Sequence, residues 1–347
     1  MIKEAISKIV ARIDLEPEEA ELVMEEIMSG RATDAQIASF LTGLRMKGET
    51  VDEIVSFTRA MLRYATIISP KVSGVMVDTC GTGGDKINTF NISTISAFVA
   101  AGAGIAVAKH GNRAVSSKSG SADVLEALGI DIMLEPEQVR ACIEEVGMGF
   151  MFAPVFHPAM KYALGPRKEI GMRTVFNILG PLANPAKVQS QVIGVYDGSL
   201  VAKIADVLKG IGVRQAIVAH GIDGLDEISP VGETKIAELK DGQIITYSIS
   251  PADFGVGIAT VREIEGGDAE ANAGIAIAIL KGRKGARRNA VLMNAAAALV
   301  VAGLAGGLKD GFELAAVSID SGAAYRKLED LVQFTRDIRR VNSITNY

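Results

Sequence analysis

The chain has 347 residues, of which 48% are hydrophobic and 22% charged, and its formal net charge is −5. This length predicts two domains or one large α/β domain, and the acidic balance disfavours a general nucleic-acid-binding protein, which would carry a basic surplus. Two cysteines, Cys80 and Cys142, form neither a disulfide framework nor a metal-ligand spacing, which is typical of the reducing cytosol. We expect neither a signal peptide nor a membrane span, because the apolar runs are short and rich in Ala and Gly.

Residues 1 to about 66 are predicted to form helices only. Apolar side chains recur at helical spacing from Ile6 to Ile13 and again further along. Thr33 and Thr50 are placed to cap the starts of two later helices, and glycines mark their ends. This region could serve as a layer for packing or dimerisation, or take a direct part in catalysis.

From Val75 on, short apolar strands alternate with helices, which predicts a parallel sheet with helices on both faces. Residues 235–251 indicate a hairpin with Asp241 and Gly242 at its turn, and the Ala-rich C-terminal helices are expected to pack along the sheet. The predicted fold class is therefore α/β, with a small all-helical domain (1–70) and a larger α/β domain (71–347) whose mainly parallel central sheet is flanked by helices. A segment near 168–188, rich in Gly-Pro and Asn-Pro turns, interrupts this alternation and is expected to cross back to the helical domain; we call it the crossover segment.

Three glycines within residues 81–84 follow the first strand and precede a helix. Main-chain N–H groups and the helix dipole favour an anion at such a place. Asn91, Ser93 and Thr94 stand where that helix begins, so their side chains are placed to cap it or to contact a ligand. The pattern is neither a Walker P-loop nor a dinucleotide-binding turn. A purely structural turn is the alternative interpretation.

The second predicted strand also ends in a polar turn. Its residues 109–121 bring together basic and hydroxyl side chains, among them Lys109, His110, Arg113 and Lys118. In an acidic protein, such a turn indicates a ligand with several negative charges, and phosphates fit best. Neighbouring parallel strands open at the same edge of a sheet, where α/β folds bind ligands. A solvated basic loop is the alternative.

Acidic side chains follow a later strand, at Asp223, Asp226 and Glu227. Adjacent carboxylates repel each other and would repel a phosphate. A divalent cation that bridges carboxylate and phosphate oxygens removes both conflicts, and Mg²⁺ prefers this set of ligands. Exposed loop acids without a metal are the alternative.

Taken together, these motifs resemble the anthranilate phosphoribosyltransferase family over nearly the full length of the chain. The motifs that carry the resemblance stand in the family's order: GTGGD at 81–85, NIST at 91–94, KHGNR at 109–113, SGSAD at 119–123, PRKEIGMRTVFNILGPLANP at 166–185 and DE at 226–227. The resemblance implies a homodimer formed through the helical domain. It also implies transfer of a phosphoribosyl group from phosphoribosyl pyrophosphate (PRPP) to anthranilate, with Mg²⁺, in tryptophan biosynthesis.

The resemblance also assigns site residues by matching position. PRPP is expected to contact Gly81, Gly84, Asp85, Thr89, Asn91, Ser93, Thr94, Lys109, Asn112 and Ser121. Mg²⁺ is expected at Ser93, Asp226 and Glu227, and anthranilate at Gly81, Asn112 and Arg167.

Three of these side chains are candidates for the chemistry itself. Lys109 would stabilise the leaving pyrophosphate, and Arg167 would hold the carboxylate of anthranilate. His110 is a candidate acceptor for the proton of the amine, with a structural hydrogen bond as its alternative. His157 matches a position along the family's anthranilate route, without a defined role.

Two other functions compete with this interpretation. A pyrimidine nucleoside phosphorylase would share the fold, but its motifs match less well. A non-enzymatic relative that binds nucleic acid along the same cleft would need a long basic groove, which the charge of −5 disfavours.

Overall fold

The computed structural model describes residues 1–84, 87–114 and 118–345. Its described α-helices are α1 (Ile2–Val10), α2 (Pro17–Met28), α3 (Asp34–Lys47), α4 (Val51–Arg63), α5 (Ile92–Gly102), α6 (Ser121–Ala127), α7 (Pro136–Ala141), α8 (Ala153–Phe156), α9 (Lys161–Ile170), α10 (Phe176–Leu182), α11 (Leu200–Gly210), α12 (Ala269–Leu280), α13 (Ala286–Val301), α14 (Leu308–Asp320) and α15 (Ala323–Thr345). The strands are β1 (Met76–Gly81), β2 (Ala106–Gly111), β3 (Met148–Phe152), β4 (Ser190–Gly194), β5 (Gln215–Gly221), β6 (Thr234–Lys240) and β7 (Gln243–Ile249). None of these described helices combines the length and the apolarity needed to cross a membrane.

The first four helices begin largely where the sequence predicts. The side chains of Thr33 and Thr50 cap α3 and α4. In each helix, the side chain at the third position accepts a hydrogen bond from the main-chain N–H of the capping threonine, which completes a capping box. The predicted helical spacing up to Ile13 was wrong, because α1 ends at Val10. Arg12 has a φ of 58°, which turns the chain out of the helix and leaves Ile13 53% exposed.

Seven strands form one sheet in the order β3-β2-β1-β4-β5-β6-β7. The first five in this order are parallel, and β6 and β7 add an antiparallel hairpin. The predicted hairpin turn is confirmed, since Asp241 and Gly242 have φ values of 50° and 73°. Strand β3 was not predicted. Its five residues are all buried, so the sequence there lacks the alternation that marks a half-exposed strand.

Helices cover both faces of the sheet, as predicted. On one face, α5, α13, α14 and α15 contribute to a core that includes Val77 and Val107 from the strands. On the other face, the core runs from the sheet through α10 and α11 into the four N-terminal helices, and Cys80 and Ile193 lie within it. The fold is therefore a helical N-terminal domain and a larger α/β domain with a mainly parallel sheet.

The crossover segment contacts both parts of the chain. Helix α9, which leads into it, packs against α2 and α3, whereas α10 packs against α4 and β2. The turn between these helices contains Gly171, with a φ of 64°. The exact division of the domains near residue 70 stays a prediction.

Candidate active site

Two sheet-edge turns meet beyond the carboxyl ends of the parallel strands. The main-chain N–H of Gly83, in the turn after β1, donates to Asp226 Oδ2 over 2.7 Å. The N–H of Ser93, in the first turn of α5, donates to Glu227 Oε1 over 3.0 Å. The glycine turn and the acidic turn, although far apart in the sequence, therefore share one place.

Glycines allow the acidic turn to come this close. A Cβ atom at Gly81 would overlap the carboxylate of Asp226, and one at Gly194 would overlap its main-chain carbonyl. The sequence analysis included Gly81 but missed Gly194. The available signal was a glycine at the carboxyl end of a buried strand, which often marks a close approach of another backbone.

Residues of the crossover segment and residues that follow β4 also contact the glycine turn. Arg173, in the crossover segment, donates to the carbonyl of Gly84, and its guanidinium lies 4.0 Å from the centroid of the Tyr196 ring. The N–H of Tyr196 donates to Thr82 Oγ1 over 3.1 Å. These contacts form one wall of a cavity of about 610 Å³. Neither Arg173 nor Tyr196 was predicted, and Asp85, which was, lies outside the described residues.

Polar side chains at the start of α5 connect it to its neighbours. Asn91 makes no capping bond. Instead, its Nδ2 donates to the carbonyl of Ser119 over 3.2 Å, and its Oδ1 accepts from Asn272 Nδ2 over 2.9 Å. Thr89 forms a bridge with Glu265. The predicted residues 89–94 are therefore joined to the second turn, to α12 and to the segment that precedes α12.

Lys109 lies beneath these turns, with only 1% of its surface exposed. Its Nζ donates to the carbonyl of Thr79 over 2.5 Å. The hydroxyl of Thr79 in turn donates to the carbonyl of Ser93 over 3.0 Å. Lys109 is thus a buried cation that is linked to the start of α5 through Thr79. Thr94, in the first turn of α5, is also buried.

The second turn carries less unpaired positive charge than its sequence indicates. Arg113 forms an ion pair with Asp123 at 3.0 Å and a second one with Glu126. Both acids lie on α6, so this cation is already neutralised. Asn112 is exposed, and its carbonyl accepts a bond from the hydroxyl of Ser121 over 3.3 Å. Residues 115–117, which include two serines of this turn, lie outside the described residues.

Two histidines lie side by side under the second turn, with ring centroids 5.0 Å apart. His110 Nδ1 lies 3.2 Å from the carbonyl of Gly180, and His157 Nε2 lies 2.9 Å from that of Ala183. Burial lowers the pKa of His110 to about 3 and that of His157 to about 4, so both rings are neutral at physiological pH. A neutral ring must donate its proton to the carbonyl. His110 Nε2 is then an acceptor, buried and without a partner among the residues that the structure describes.

Arg167 lies on α9 and is half-buried. Its guanidinium stands 5.3 Å from the centroid of the Phe176 ring on α10, the helix whose Gly180 contacts His110. Burial lowers the pKa of Arg167 from its usual value. The described contacts thus place Arg167 beside α10, without a direct bond to the glycine turn.

Of the three predicted acids, Asp223 differs from the other two. It accepts a bond from Ser229 Oγ over 2.8 Å and so stabilises its own turn. No group of three or more His, Cys, Asp or Glu side chains in the described part of the chain could hold a metal ion. Two carboxylates, Asp226 and Glu227, with the hydroxyl of Ser93 nevertheless suit Mg²⁺, which commonly uses one or two carboxylates together with substrate phosphates.

Family models and relatives agree over almost the whole chain. The helical bundle domain of a glycosyl transferase family matches residues 3–65, and the a/b domain of that family matches residues 73–325. Anthranilate phosphoribosyltransferase of Moorella thermoacetica is 56% identical over 96% of this chain and 98% of its own. That of Alkaliphilus metalliredigens is 52% identical over 98% of this chain and 100% of its own.

Solved structures show the same agreement. Anthranilate phosphoribosyltransferase from Thermus thermophilus is 42% identical, with a TM-score of 0.91 over 96% of this chain and 99% of that one. The Saccharomyces cerevisiae protein, solved in complex with PRPP and Mg, is 28% identical, with a TM-score of 0.89 over 97% of this chain and 98% of that one. The matches in sequence and in structure each extend over both the helical part and the α/β part. The chain therefore belongs to the anthranilate phosphoribosyltransferase family.

Proposed function

We propose that the chain transfers the 5-phosphoribosyl group of PRPP to the amine of anthranilate, releasing pyrophosphate, as a step of tryptophan biosynthesis. The observation that carries this proposal is the meeting of the glycine turn and the acidic turn at the start of α5, through the Gly83–Asp226 and Ser93–Glu227 contacts. Family membership supplies the identity of the two substrates.

The donor's phosphates are proposed to bind at the start of α5. The helix has 11 residues, and its N-terminus favours an anion. The residues proposed to contact PRPP are Gly81, Gly84, Asp85, Thr89, Asn91, Ser93, Thr94, Lys109, Asn112 and Ser121. The strongest support is for Lys109, because a buried ammonium close to the helix start is a fixed positive charge where the pyrophosphate would lie.

Asp226, Glu227 and Ser93 are proposed to hold Mg²⁺ together with oxygens of the donor. When bound, the ion would offset negative charge on the pyrophosphate as it leaves. In the structure both carboxylates accept main-chain N–H bonds. These bonds support the proposal, because they hold both carboxylates close to the start of α5, where the phosphates are proposed to bind.

The reaction breaks the bond between C1 of the ribose and the pyrophosphate oxygen, and forms a bond between C1 and the amine nitrogen. The electron pair of the broken bond leaves on the pyrophosphate, where Lys109 stabilises the charge. The nitrogen then releases one proton. His110 Nε2 is proposed as the acceptor of this proton, because this nitrogen of the neutral ring carries a lone pair. With a pKa of about 3, this ring is a weak base, suited to the acidic N–H that forms only after attack.

Arg167 is proposed to hold the carboxylate of anthranilate, with Gly81 and Asn112 also contacting the ring or its substituents. The guanidinium is half-buried against Phe176, so a carboxylate bound there would be partly shielded from water. Arg167 and His110 both contact α10, at Phe176 and Gly180, which supports an acceptor site near that helix. Arg167 would then increase the rate by orienting the amine of anthranilate toward C1 of the ribose.

The function is tested directly by following the fluorescence of anthranilate. Full-length protein with PRPP and Mg²⁺ should consume anthranilate and release one pyrophosphate for each anthranilate lost. Omitting either PRPP or Mg²⁺ should abolish the change. Release of a free base from a pyrimidine nucleoside and phosphate, with no consumption of anthranilate, would overturn the proposal in favour of a nucleoside phosphorylase.

Replacing Arg167 by Ala should raise KM for anthranilate roughly tenfold or more, because a charge-assisted hydrogen bond contributes about 1.5–3 kcal/mol. KM for PRPP should change far less. Steady-state kinetics with each substrate varied in turn measure both constants. Lys168→Ala, which removes the exposed neighbouring cation, is the matched control. Equal effects of Arg167→Ala on both constants would remove Arg167 from the acceptor site.

The double substitution Asp226→Asn with Glu227→Gln should raise the Mg²⁺ concentration for half-maximal rate by about tenfold or more, because two charged oxygen ligands are lost. A magnesium titration of the initial rate measures this. Glu233→Gln, an exposed acid shortly after the same turn, should leave the titration unchanged. An unaltered midpoint in the double variant would show that the two acids do not bind the metal.

The chain is proposed to act as a homodimer in the cytoplasm. Large apolar side chains are exposed on the helical domain, with Val10 70% and Met46 72% exposed, and on α9, where Leu164 is 58% exposed. Such side chains are typical of an interface when they lie on one part of the surface. Both cysteines are free and buried, which supports a reducing setting.

The double substitution Val10→Glu with Met46→Glu should convert the dimer into a monomer of 36.4 kDa, because charges would then be buried at the interface. Light scattering coupled to size-exclusion chromatography measures the mass. Ile258→Glu is the control, because this side chain is 75% exposed and lies outside the helical part. A wild-type protein that is monomeric at assay concentration would contradict the proposal.

A further inference from the structure

Arg173 is a cation beside the glycine turn that neither the proposed donor site nor the proposed acceptor site uses. It lies in the crossover segment, between α9 and α10, and is partly buried. Its Nη2 donates to the carbonyl of Gly84, while the guanidinium lies 4.0 Å from the centroid of the Tyr196 ring. A guanidinium can make both contacts at once, because it is planar, carries several N–H donors and stacks on aromatic faces. The two contacts together therefore favour arginine at this position.

The glycine turn needs contacts of this kind. Gly83 and Gly84 have φ values of 70° and 79°, in the region that favours glycine. Glycine loses more conformational freedom on folding than any other residue, so a turn built from it is ordered only where other groups hold it. Asp226 accepts the N–H of Gly83, and Arg173 donates to the carbonyl of Gly84. The two glycines are therefore fixed by two different segments of the chain.

Tyr196 completes this set of contacts. Its N–H donates to Thr82 Oγ1 over 3.1 Å, and the N–H of Thr82 donates to the carbonyl of Gly194 over 2.9 Å. Tyr196 thus binds one residue of the turn through its main chain, while its ring supports the guanidinium of Arg173, which binds another. The contacts form a closed ring that joins β4, the crossover segment and the turn.

The space around Gly84 also fits the approach of Arg173. A Cβ atom at Gly84 would overlap the guanidinium, whereas a Cβ atom at Gly83 would meet nothing within 4 Å. Both glycines have a positive φ, so backbone conformation alone does not distinguish them. Gly84 has the additional requirement that the arginine must reach its main chain.

We propose that Arg173 is a positioning residue that fixes the glycine turn in the geometry that binds the donor. The proposal rests on the proposed function, because it takes the glycine turn to contact PRPP. Arg173 acts through the main chain of Gly84 and does not touch the reacting atoms. Its loss should therefore weaken donor binding and leave the acceptor site, proposed at Arg167, largely unchanged.

Replacing Arg173 by Ala should raise KM for PRPP about tenfold, the change expected for the loss of one charge-assisted hydrogen bond. KM for anthranilate should change far less, which is the reverse of the result expected for Arg167→Ala on the same stretch of chain. Steady-state kinetics with each substrate varied in turn measure both constants, and Lys168→Ala is again the matched control. An unchanged KM for PRPP, or an equal rise in both constants, would overturn the inference.

A second set of variants separates positioning from a direct effect of charge on the donor. Arg173→Lys keeps the charge but not the planar group, so KM for PRPP should stay raised. Tyr196→Leu removes the stacked ring and should also raise KM for PRPP, whereas Tyr196→Phe, the conservative variant, keeps the ring and should recover the lower value. Because the two side chains act together, the effects of Arg173→Ala and Tyr196→Leu should not add in the double variant. Full recovery in Arg173→Lys, or additive effects, would show that Arg173 acts as a charge alone.

Thermal unfolding with and without PRPP and Mg²⁺ gives a measurement that does not depend on turnover. Ligand binding should raise Tm of the wild type, and at the same ligand concentration the rise should be smaller for Arg173→Ala. If that variant does not fold, Tyr196→Leu, which keeps the arginine, provides the same comparison. An equal rise in wild type and variant would contradict the proposed role of Arg173. No rise in the wild type, together with no consumption of anthranilate, would instead overturn the proposed function.

Discussion

The hydrogen bond from the N–H of Gly83 to Asp226 is the contact on which the rest of the site depends. It joins two turns that are 143 residues apart, and it forms only because Gly81 and Gly194 lack side chains. The main-chain N–H of Ser93, at the start of α5, likewise donates to Glu227. The acidic turn therefore sets two carboxylates beside the helix N-terminus at which we propose that the donor's phosphates bind together with Mg²⁺.

Three charged side chains around this contact are buried. The carboxylate of Asp226 accepts from the glycine turn, the ammonium of Lys109 donates to the carbonyl of Thr79, and the carboxylate of Asp78 lies within β1. Each charge is hydrogen-bonded, which offsets part of the cost of burial. Because Asn184 and the N–H of His110 both contact Asp78, hydrogen bonds join the end of the crossover segment to β1 and β2.

Local pattern and topology were enough to predict part of the fold and of the site from the sequence. Thr50 was recognisable as a cap from its neighbours, and parallel strands necessarily open at one edge, so their turns were expected to meet. The features that were missed depend on contacts between different segments of the chain. Arg113 is neutralised by acids on α6, Arg173 reaches Gly84 from the crossover segment, and Gly194 matters only because the acidic turn lies against it. None of these contacts has a periodic signal in the sequence.

A crystal structure of the protein with PRPP and Mg²⁺ is the most direct measurement of whether the turns form one anion site. Phosphate oxygens should lie about 2.7–3.2 Å from a main-chain nitrogen within residues 81–94 and from Lys109 Nζ. The metal should lie between these oxygens and Asp226. A donor bound away from Lys109 and α5, with the Gly83–Asp226 contact unchanged, would contradict the central claim.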